Sequence, residues 1–508
     1  MFHSPDEQTI IAQCTPRGSG AIALLRISGA SAILVADAIA QLASGKKLTD
    51  VASHTIHYGT IIDAHKNHVD SVLFMLMHGP RTFTGQDTVE ITCHNNQFII
   101  EEIISLAINA GGRLAQEGEF TKRAVINGKI DLVQAEAINE LIHAQTQMAL
   151  KQSLAQLSGS FSSWLAGIEM ELMKALAFCQ ASFEFLDEEI ELGGPISHMI
   201  GGIKHSISEI KKTFNQQQQI RQGVRVAIIG SVNAGKSSLF NALLNHQRAI
   251  VNAQAGTTRD SIEAGLYKNG NFWTLVDTAG LRQTHDAIEQ EGIRRSFEEA
   301  HKADIILLTY DSTRDLSIEE KDVYAQLQEK YANKIICVYT KNDAQSFDTR
   351  LRQGYAGQAF TQPVRHSSEG ATAGDVYIEH SSRNTLKANS LAHILSSAES
   401  RVSKDSVKVS SKTKNNIDIL EQIIQQKIAT LFADIASPFL LNQRQHNLLL
   451  ALETKLVEIE SMLNSKRIAY ELLAIHLNDA IAHLAELSGK EISETSMDMV
   501  FREFCVGK

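Results

Sequence analysis

The sequence predicts a multidomain protein: an α/β domain with a mostly parallel sheet is inserted in an α-helical domain, and an α+β domain precedes both. Near-continuous apolar runs alternate with helical patterns over residues 223–430, which is typical of a parallel sheet covered on both faces. Helical periodicity flanks this region on both sides. A chain of 508 residues is long enough for about three such domains.

Residues 1–128 form the predicted α+β domain. Strand-like runs such as AIALLRISG, DSVLFMLMHG and DTVEITCH accompany one clear helix, QFIIEEIISLAINAGG. Ala110 ends the apolar pattern of that helix. Gly111 is a natural C-cap because glycine readily adopts the left-handed conformation that ends many helices.

The helical domain is predicted from two segments, residues 129–222 and 431–508. In the first, DLVQAEAINELIHAQTQMALKQSLAQL has apolar positions three and four residues apart, the spacing of an amphipathic helix. In the second, five apolar residues fall on one helical face. These are Leu448, Leu449, Leu452, Leu456 and Ile459.

The inserted domain is predicted over residues 223–430. Its strand candidates are VRVAIIG, FWTLVDTAG, ADIILLTYD and KIICVYTKND, and the pattern resumes at VKVSSKTKNNIDILEQIIQQKI. Residues 344–408 are instead dominated by Ser, Gly, Gln, Thr and Arg, so we expect a surface insertion that is flexible at least in part.

The composition argues against several classes of protein. The formal net charge of -10 disfavours binding of nucleic acid by bulk electrostatics, so any RNA contact is expected to be local or made by a partner. Five dispersed cysteines without a CxxC pair indicate a reducing compartment, without a disulfide framework or a thiolate zinc site. We find no secretory signal and no apolar stretch of the ~18 residues that a membrane helix needs, so we expect a cytoplasmic protein.

The segment GSVNAGKSS has the spacing of a phosphate-binding loop. Gly230 and Gly235 are separated by four residues and are followed by Lys236 and Ser237. The backbone N–H groups of such a loop, and the N-terminus of the helix that it opens, bind phosphate. We expect Lys236 to reach the β- and γ-phosphates and Ser237 to bind Mg²⁺. The alternative, a chance glycine-rich turn, is disfavoured by the strand before it and the helix after it.

Later segments indicate that the nucleotide is GTP. Asp277 of DTAG ends a strand and is the acid expected to hold the magnesium shell, and the Gly280 N–H can meet the γ-phosphate. Thr258 of AGTTRD is a second hydroxyl for Mg²⁺. Asp343 of TKND can accept both guanine donors, N1 and the exocyclic amine, which adenine cannot match. The SSK segment at 410–412 suits the loop that closes over the base.

Two positions depart from the usual GTPase pattern. Thr340 stands where the guanine motif usually has Asn, so we expect a weaker base contact. Leu281 follows DTAG, where a glutamine would orient the attacking water. The spacing identifies no arginine finger, but the segment HDAIEQEGI offers three carboxylates that can position water. They are Asp286, Glu289 and Glu291.

The chain resembles the MnmE (TrmE) family of tRNA-modification GTPases from about Thr9 to Lys508, except in the insertion. A phosphate loop alone is a weak signal, whereas its combination with motifs at both ends of the chain is highly specific. The matching stretches are TIIAQCTPRGSGAIALLRISG, PRTFTGQDTVEI, GEFTKRAVINGKIDLVQAEAINELI, GSVNAGKSSLFNALL, AGTTRD, DTAGLR and the terminal FCVGK.

This resemblance implies an N-terminal domain that binds folate and forms a homodimer, and a G domain within a split helical domain. It also implies a flavoprotein partner, MnmG (GidA), in a heterotetramer. The complex adds a carboxymethylaminomethyl or aminomethyl group to C5 of the tRNA wobble uridine (U34), which is contacted largely through the partner. A 5,10-methylene- or 5-formyl-tetrahydrofolate supplies the carbon, and GTP hydrolysis with Mg²⁺ and K⁺ drives conformational change.

The family's motifs also imply roles for individual residues. The asparagine of the phosphate loop binds K⁺ together with the loop at 252–258, and the acid after DTAG orients water. The implied catalytic residues are Glu289, Lys236 and Asp277, and the implied potassium site comprises Asn233, Asn252, Gln254 and Thr257. The implied folate residues are Arg26, Glu90, Lys129 and Lys508. The predicted nucleotide-binding residues are Asn233, Ala234, Gly235, Lys236, Ser237, Ser238, Thr257, Thr258, Asp277, Thr278, Ala279, Gly280, Thr340, Lys341, Asp343, Ser410, Ser411 and Lys412.

The N-terminal domain departs from the family at several positions. Cys93, Asn95 and Asn96 replace glycines of the family's Gly-His-Gly-Gly, and Glu117 replaces the proline of Pro-Gly-Glu-Phe. Asn tolerates positive φ better than most residues, but Cys does not. We therefore expect local changes in the geometry of this domain rather than in the GTP chemistry.

The terminal FCVGK ends in Lys508, which is the wrong residue for a prenylation box. We predict that this tail is part of the folate site.

The main alternative to a function in tRNA modification is a GTPase switch in ribosome assembly. A second alternative is a scaffold GTPase that only dimerises. An assembly factor should not bind folate, so folate binding distinguishes the first alternative from tRNA modification. Analysis of the wobble uridine in a deletion strain distinguishes the second.

Overall fold

The computed structural model of the chain forms two compact units. The first combines Met1–Ala144, Met148–Phe214 and Ser437–Lys508, and the second combines Gln145–Gln147 with Asn215–Ala436. The second unit interrupts the first in sequence, which confirms the predicted insertion of an α/β domain. The structure describes residues 8–184, 193–212, 214, 221, 223–245, 262–278, 288–343, 406–433, 438–465, 468–504 and 506–507.

The first unit begins with a seven-stranded sheet. Its strands are β1 (Ile10–Gln13), β2 (Ile22–Ser28), β3 (Ala40–Leu42), β4 (Thr55–Ile62), β5 (His68–Met77), β6 (Thr88–His94) and β7 (Arg113–Leu114). They are ordered β3-β4-β5-β6-β2-β1-β7, and all neighbours are antiparallel except β1 and β7. Helices α1 (Ala32–Ile39) and α2 (Gln97–Asn109) contribute to the same hydrophobic core as the strands, so this region is the predicted α+β domain.

Side chains alternate between the two faces of this sheet, as the pleat requires. Buried residues such as Leu25 and Phe74 point into the core that includes α1 and α2. The opposite face presents large exposed side chains from β2, β4 and β5. They are Ile22, Ile56, Tyr58 and Leu73.

The rest of the first unit is helical. Helices α6 (Ser160–Glu184), α7 (Gly193–Lys212), α12 (Gln443–Leu463) and α13 (Tyr470–Ser488) share one hydrophobic core. Four of the five apolar residues predicted on one face of α12 are buried in this core, and Leu448 packs against its edge. The remaining elements are η1 (Leu48–Asp50), α3 (Glu119–Ile126), α4 (Leu132–His143), α5 (Gln147–Leu157) and α14 (Glu494–Phe501).

The second unit contains a six-stranded sheet with helices around it. Its strands are β8 (Val224–Gly230), β9 (Ile262–Lys268), β10 (Asn271–Asp277), β11 (Ile305–Asp311), β12 (Ile335–Thr340) and β13 (Ser406–Lys408). Its helices are α8 (Lys236–Asn245), α9 (Ile288–Lys302), α10 (Ile318–Tyr331), η2 (Ala332–Lys334) and α11 (Ile417–Ala433). The order is β13-β12-β11-β8-β10-β9, and only β9 runs antiparallel to its neighbour, so the mostly parallel sheet is confirmed.

Candidate functional site

The turn between β8 and α8 has the backbone of a phosphate-binding loop. Asn233 and Gly235 have positive φ angles of 62° and 84°, a conformation that asparagine and glycine tolerate better than other residues. A side chain at Gly230 would place its Cβ 2.1 Å from Thr309 Oγ1, so only glycine fits there. Ser237 and Ser238 are exposed at the N-terminus of α8, where N–H groups have no intrahelical acceptor.

Lys236 is the buried cation of this loop. Its Nζ donates to the carbonyl oxygens of Gly230 and Ser231, both at 2.7 Å. Burial lowers the pKa of Lys236, and the charge of Asp277 opposes that shift. Asp277 is itself buried at the end of β10, beside β8. Two of the three predicted catalytic residues therefore interact near the carboxyl ends of β8 and β10, where the loop begins.

Thr340 ties the loop to the next strand. Its hydroxyl, buried at the end of β12, lies 2.6 Å from the Ala234 carbonyl oxygen and 3.0 Å from that of Tyr310. The sequence predicted only a base contact for this residue. The structure adds a second role, because the Thr340 side chain stabilises the phosphate loop through its hydrogen bond to the Ala234 carbonyl. A motif comparison misses this contact, since Ala234 is 106 residues away.

The two predicted guanine segments lie side by side. The Asn342 N–H donates to the Val409 carbonyl at 3.2 Å, and the Ser410 hydroxyl donates to Asp343 Oδ1 at 2.8 Å. This hydrogen bond is the main cause that lowers the pKa of Asp343, with a smaller contribution from the charge of Lys412. Asp343 is exposed and remains an ionised acceptor, the form needed to bind two N–H donors of a base.

Lys341, between these residues in sequence, is also held in place. It has a φ of 58°, and its Nζ donates to Asp311 Oδ2 at 2.6 Å. Burial disfavours the charged form of Asp311, but hydrogen bonds from Lys341 and Thr313 outweigh it and lower its pKa. Ser411 and Lys412 follow Ser410 in a turn on the same side of the domain. The structure thus brings the TKND and SSK segments together.

Several predicted site residues lie outside the described residues. They are Asn252, Gln254, Thr257, Thr258, Ala279, Gly280, Leu281, Asp286, Lys508 and the side chains of Glu289 and Glu291. Thr278, which precedes this gap, donates its hydroxyl to the Ile228 carbonyl at 2.9 Å.

Comparison with known proteins decides the family. A model described as the MnmE helical domain matches residues 132–505, and one described as the GTP-binding protein TrmE N-terminus matches residues 9–129. The tRNA modification GTPase MnmE of Lachnoclostridium phytofermentans is 32% identical over 512 residues, covering 98% of this chain and 99% of the relative. The proteins of that name from Aquifex aeolicus and Bacillus subtilis are 32% and 31% identical and are each covered over their whole length, with 99% and 98% of this chain aligned.

The chain belongs to the MnmE family of tRNA modification GTPases. The resemblance inferred from the sequence motifs is therefore confirmed. Membership establishes a GTPase of tRNA modification and agrees with the phosphate loop and guanine segments described above. The helices that the structure describes are each too short or too polar to span a membrane.

In this MnmE-family chain, the predicted folate residues Arg26 and Glu90 are neighbours on β2 and β6. Arg26 Nε donates to Glu90 Oε1 at 2.8 Å, and both side chains are largely buried. The guanidinium also lies over the rings of Phe83 and Phe120, at 5.7 and 5.5 Å from the ring centroids. Arg26 lines a cavity of about 230 Å³ together with Phe83, Thr121, Ile138 and Ile142.

Lys129 has a different partner. Its Nζ donates to the Pro80 carbonyl oxygen at 2.8 Å, and its side chain is exposed. The aromatic residues Phe83 and Phe120 were not predicted as site residues, although both lie within stretches that carry the family resemblance. Their contact with Arg26 brings together three segments that are distant in sequence. A local sequence pattern cannot predict such a contact.

The C-terminal tail contacts the N-terminal domain within the same unit. Val506 forms an antiparallel bridge with Glu117, and Gly507 has a φ of 95°. A Cβ on Gly507 would lie 2.2 Å from the Gln13 carbonyl oxygen, so the backbone approaches β1 closely. Phe504 is buried near Phe501.

The substitutions in the family's glycine motif are accommodated at negative φ. None of the three replacements, Cys93, Asn95 and Asn96, has a positive φ angle. Cys93 is buried in the core, and burial, together with the charge of Asp70, raises its pKa to about 11. Asn96 caps α2 by accepting from the Phe98 N–H at 3.0 Å, and Asn95 donates to the Gly18 carbonyl at 2.7 Å. These side chains replace glycine flexibility with specific contacts.

Proposed function

We propose that this protein hydrolyses GTP while a flavoprotein partner, MnmG, and a tetrahydrofolate add an aminomethyl or carboxymethylaminomethyl group to C5 of tRNA U34. The observation that carries the proposal is the convergence of the phosphate loop, Asp277, Asp343 and Ser410 in a chain of the MnmE family. We propose that this activity takes place in the cytoplasm.

The nucleotide site supports GTP chemistry at neutral pH. In the proposal, the Lys236 ammonium leaves the carbonyl oxygens of Gly230 and Ser231 and pairs with the β- and γ-phosphates, a more favourable acceptor. Asp343 exchanges its Ser410 bond, wholly or in part, for the two guanine donors. The exchange costs little because Asp343 is already ionised and exposed.

Two cations complete this proposed site. Mg²⁺ would be held by the hydroxyls of Ser237 and Thr258, with Asp277 on its water shell, and it supplies charge that neutralises the phosphates. K⁺ would be held by Asn233 and the loop at 252–258. The exposed N-terminus of α8 places Ser237 where a phosphate-bound cation can reach its hydroxyl. Asn233 is exposed at the left-handed corner of the loop.

The Arg26 cavity supports binding of a tetrahydrofolate. Folates combine a flat heteroaromatic ring with a carboxylate tail, and the cavity is lined by an arginine, the Phe83 ring and two isoleucines. The Phe120 ring lies 5.5 Å from the same guanidinium. Arg26 pairs with carboxylates and stacks on planar groups. We propose that Arg26 and Glu90 bind the polar edge of the folate, with Lys129 and Lys508 as further folate-binding residues.

The outer face of the N-terminal sheet supports the proposed homodimer. Ile56, Met75, Glu90 and Arg26 are cross-strand neighbours in one row, so the exposed apolar patch leads directly to the proposed folate residues. Ile22, Tyr58 and Leu73 extend the patch. Exposed apolar surface of this kind marks protein–protein contact sites. A dimer that buries this face would bring the two folate cavities close to the interface.

The experiment that tests the proposed function is nucleoside analysis of tRNA from cells that lack this gene, with and without the restored gene. We expect the C5-modified wobble nucleoside to disappear and to return with the wild-type gene. If the modified nucleoside persists in the deletion strain, the proposal is wrong. Normal ribosome profiles in the same cells would additionally exclude the alternative, a GTPase switch of ribosome assembly, as the cause.

A further inference from the structure

Tyr324 of α10 contacts the phosphate loop through its hydroxyl group. The hydroxyl accepts the Ser231 N–H at 2.8 Å and lies 3.0 Å from Ser231 Oγ. It also donates to the Thr309 carbonyl oxygen on β11, at 2.8 Å. Ser231 is the second residue of GSVNAGKSS, so the contact is made where the chain leaves β8 and enters the loop.

The valence of the phenol fixes the direction of these bonds. A phenol has one proton to donate and two lone pairs. Because the proton is used on the Thr309 carbonyl, a lone pair of Tyr324 accepts the Ser231 N–H. Burial raises the pKa of Tyr324, so the hydroxyl keeps its proton at neutral pH. The Ser231 hydroxyl lies against the same phenol oxygen and also interacts with the Glu320 carboxylate.

Helix α10 provides a fixed base for this contact. Ser317 caps the helix in a capping box with Glu320. Arg314 bonds both carboxylate oxygens of Glu320, at 2.8 and 2.7 Å, and this pairing is the main cause that lowers the pKa of Glu320 to about 2. The Tyr324 ring is buried and contacts the Tyr310 ring edge-on, with centroids 4.8 Å apart. The hydroxyl thus has little freedom to follow a displaced loop.

We propose that Tyr324 is a positioning residue of the nucleotide site: it fixes the Ser231 amide and so holds the entrance of the phosphate loop in the conformation that binds the β-phosphate. The proposal rests on the GTP-binding function proposed above. Thr340 supports the loop at Ala234, and Tyr324 supports it three residues earlier. With both ends of this short segment held, the intervening N–H groups are oriented before the nucleotide arrives, which lowers the entropy cost of binding.

The test uses two matched tyrosine variants of the full chain. Tyr324→Phe removes the hydroxyl and leaves the ring in place. Tyr310→Phe removes a hydroxyl from the adjoining ring of the same cluster, where it accepts from the Gln328 amide at 3.1 Å. We would measure the Kd for GDP, the KM and kcat for GTP, and the melting temperature of each protein.

For Tyr324→Phe we expect a Kd for GDP and a KM for GTP about three- to tenfold higher, because a buried N–H loses its acceptor. The kcat should change by less than about twofold, since the hydroxyl bonds to the start of the loop and to Thr309, and not to a residue proposed to act on the γ-phosphate. Tyr310→Phe should leave Kd and KM unchanged. A lower melting temperature with unaltered Kd and KM in Tyr324→Phe would mean a purely structural role and would overturn the proposal, as would equal losses in both variants.

Ser231→Ala provides an independent test. It deletes the hydroxyl contact but keeps the N–H bond, so we expect a smaller increase in Kd, about twofold, at an unchanged melting temperature. If Tyr324→Phe does not fold, hydrogen exchange of the Ser231 amide in the nucleotide-free wild-type protein decides: we expect protection by the Tyr324 acceptor, and exchange as fast as that of a free loop amide contradicts the proposal. Failure of the wild-type protein to bind GDP or GTP would instead refute the underlying nucleotide site, so the two failures are distinguishable.

Discussion

The phosphate loop of the second unit and the Arg26 cavity of the first are assembled in different ways. The loop is one contiguous segment, and its main function depends on backbone N–H groups and on two residues with positive φ. The cavity gathers Arg26, Phe83, Thr121 and Ile138 from distant segments. A contiguous motif therefore specifies nearly the whole of the phosphate loop. The Arg26 cavity is specified only once strand register and helix packing are known.

The two sites also differ in how their charged groups are satisfied. Lys236 donates to loop carbonyls that phosphate can replace, and Asp343 accepts one hydroxyl bond. Arg26 already has a carboxylate partner and two aromatic neighbours. A nucleotide thus replaces individual hydrogen bonds of Lys236 and Asp343, whereas a folate binds beside the preformed Arg26–Glu90 ion pair. Substitutions should accordingly have larger effects in the nucleotide site.

The largest effect is expected from Asp343→Asn. The amide cannot accept from two guanine donors, and hydrogen bonds to a charged acceptor are worth about 1.5–3 kcal/mol each, so GTP affinity should fall by about a hundredfold or more. Preference should shift toward xanthosine triphosphate, whose base offers an acceptor in place of the exocyclic amine. Competition binding with both nucleotides measures this, and a retained preference for GTP would refute the assignment of Asp343.

The pH dependence of the same site follows from the lowered pKa of Asp343. A carboxyl group with a depressed pKa stays ionised until the pH falls through that value. GDP affinity should therefore stay level between about pH 8 and about pH 5, above the usual range for aspartate. A decrease within that interval, measured at constant ionic strength, would contradict an Asp343 carboxylate as the base acceptor.

Potassium dependence is the next largest expected effect. Leu281 replaces the usual glutamine and the sequence reveals no arginine finger, so K⁺ at Asn233 is expected to supply charge in the transition state. Hydrolysis should be about tenfold faster or more in K⁺ than in Na⁺. Asn233→Ala should remove the difference between the two salts. Equal rates of the wild-type protein in both salts would count against a potassium site.

A pair of cation variants sharpens the description of the folate cavity. Arg26→Gln should weaken 5-formyl-tetrahydrofolate binding by about tenfold, because a charged contact in a partly buried site is lost. Lys129→Gln should cost only about twofold, since Lys129 is exposed and bonds to the Pro80 carbonyl. Calorimetry measures both affinities. A larger loss for Lys129→Gln than for Arg26→Gln would reverse the proposed importance of the two residues.

The smallest effect is expected at the C-terminal tail. Gly507→Ala places a methyl group against the Gln13 carbonyl at a positive φ, so the tail must shift away from β1. Folate affinity should fall about threefold, as for deletion of Lys508, while GTP affinity stays unchanged. Val506→Ala, which preserves the backbone bridge to Glu117, is the control. Unaltered folate affinity after deletion of Lys508 would show that the tail is not part of the site.

The extent to which sequence predicts this molecule follows the range of the interactions involved. Apolar runs predicted the parallel strands, and a nine-residue motif predicted the loop at Gly230 to Ser238, because both depend on local spacing. The roles of Thr340 and Tyr324 toward the loop were not predicted. Their partners lie 106 and 93 residues away, and nothing in local periodicity encodes such distances.

The cavity shows the same limit in a different form. Family motifs supplied Arg26 and Glu90 as separate residues, and only the antiparallel register of β2 and β6 places them opposite each other. The glycine replacements were expected to perturb backbone geometry. The backbone there is at negative φ, so asparagine and cysteine fit without that strain. Substitution patterns alone do not reveal which glycines of a motif need their conformational freedom.

The most direct test of two separate ligand sites is a reciprocal titration of GDP and 5-formyl-tetrahydrofolate into the wild-type protein, Asp343→Asn and Arg26→Gln. We expect Asp343→Asn to lose GDP binding and keep folate binding. We expect Arg26→Gln to weaken folate binding and keep GDP binding. Loss of both ligands in a folded variant, or wild-type protein that binds no folate, would contradict the assignment of two separate sites.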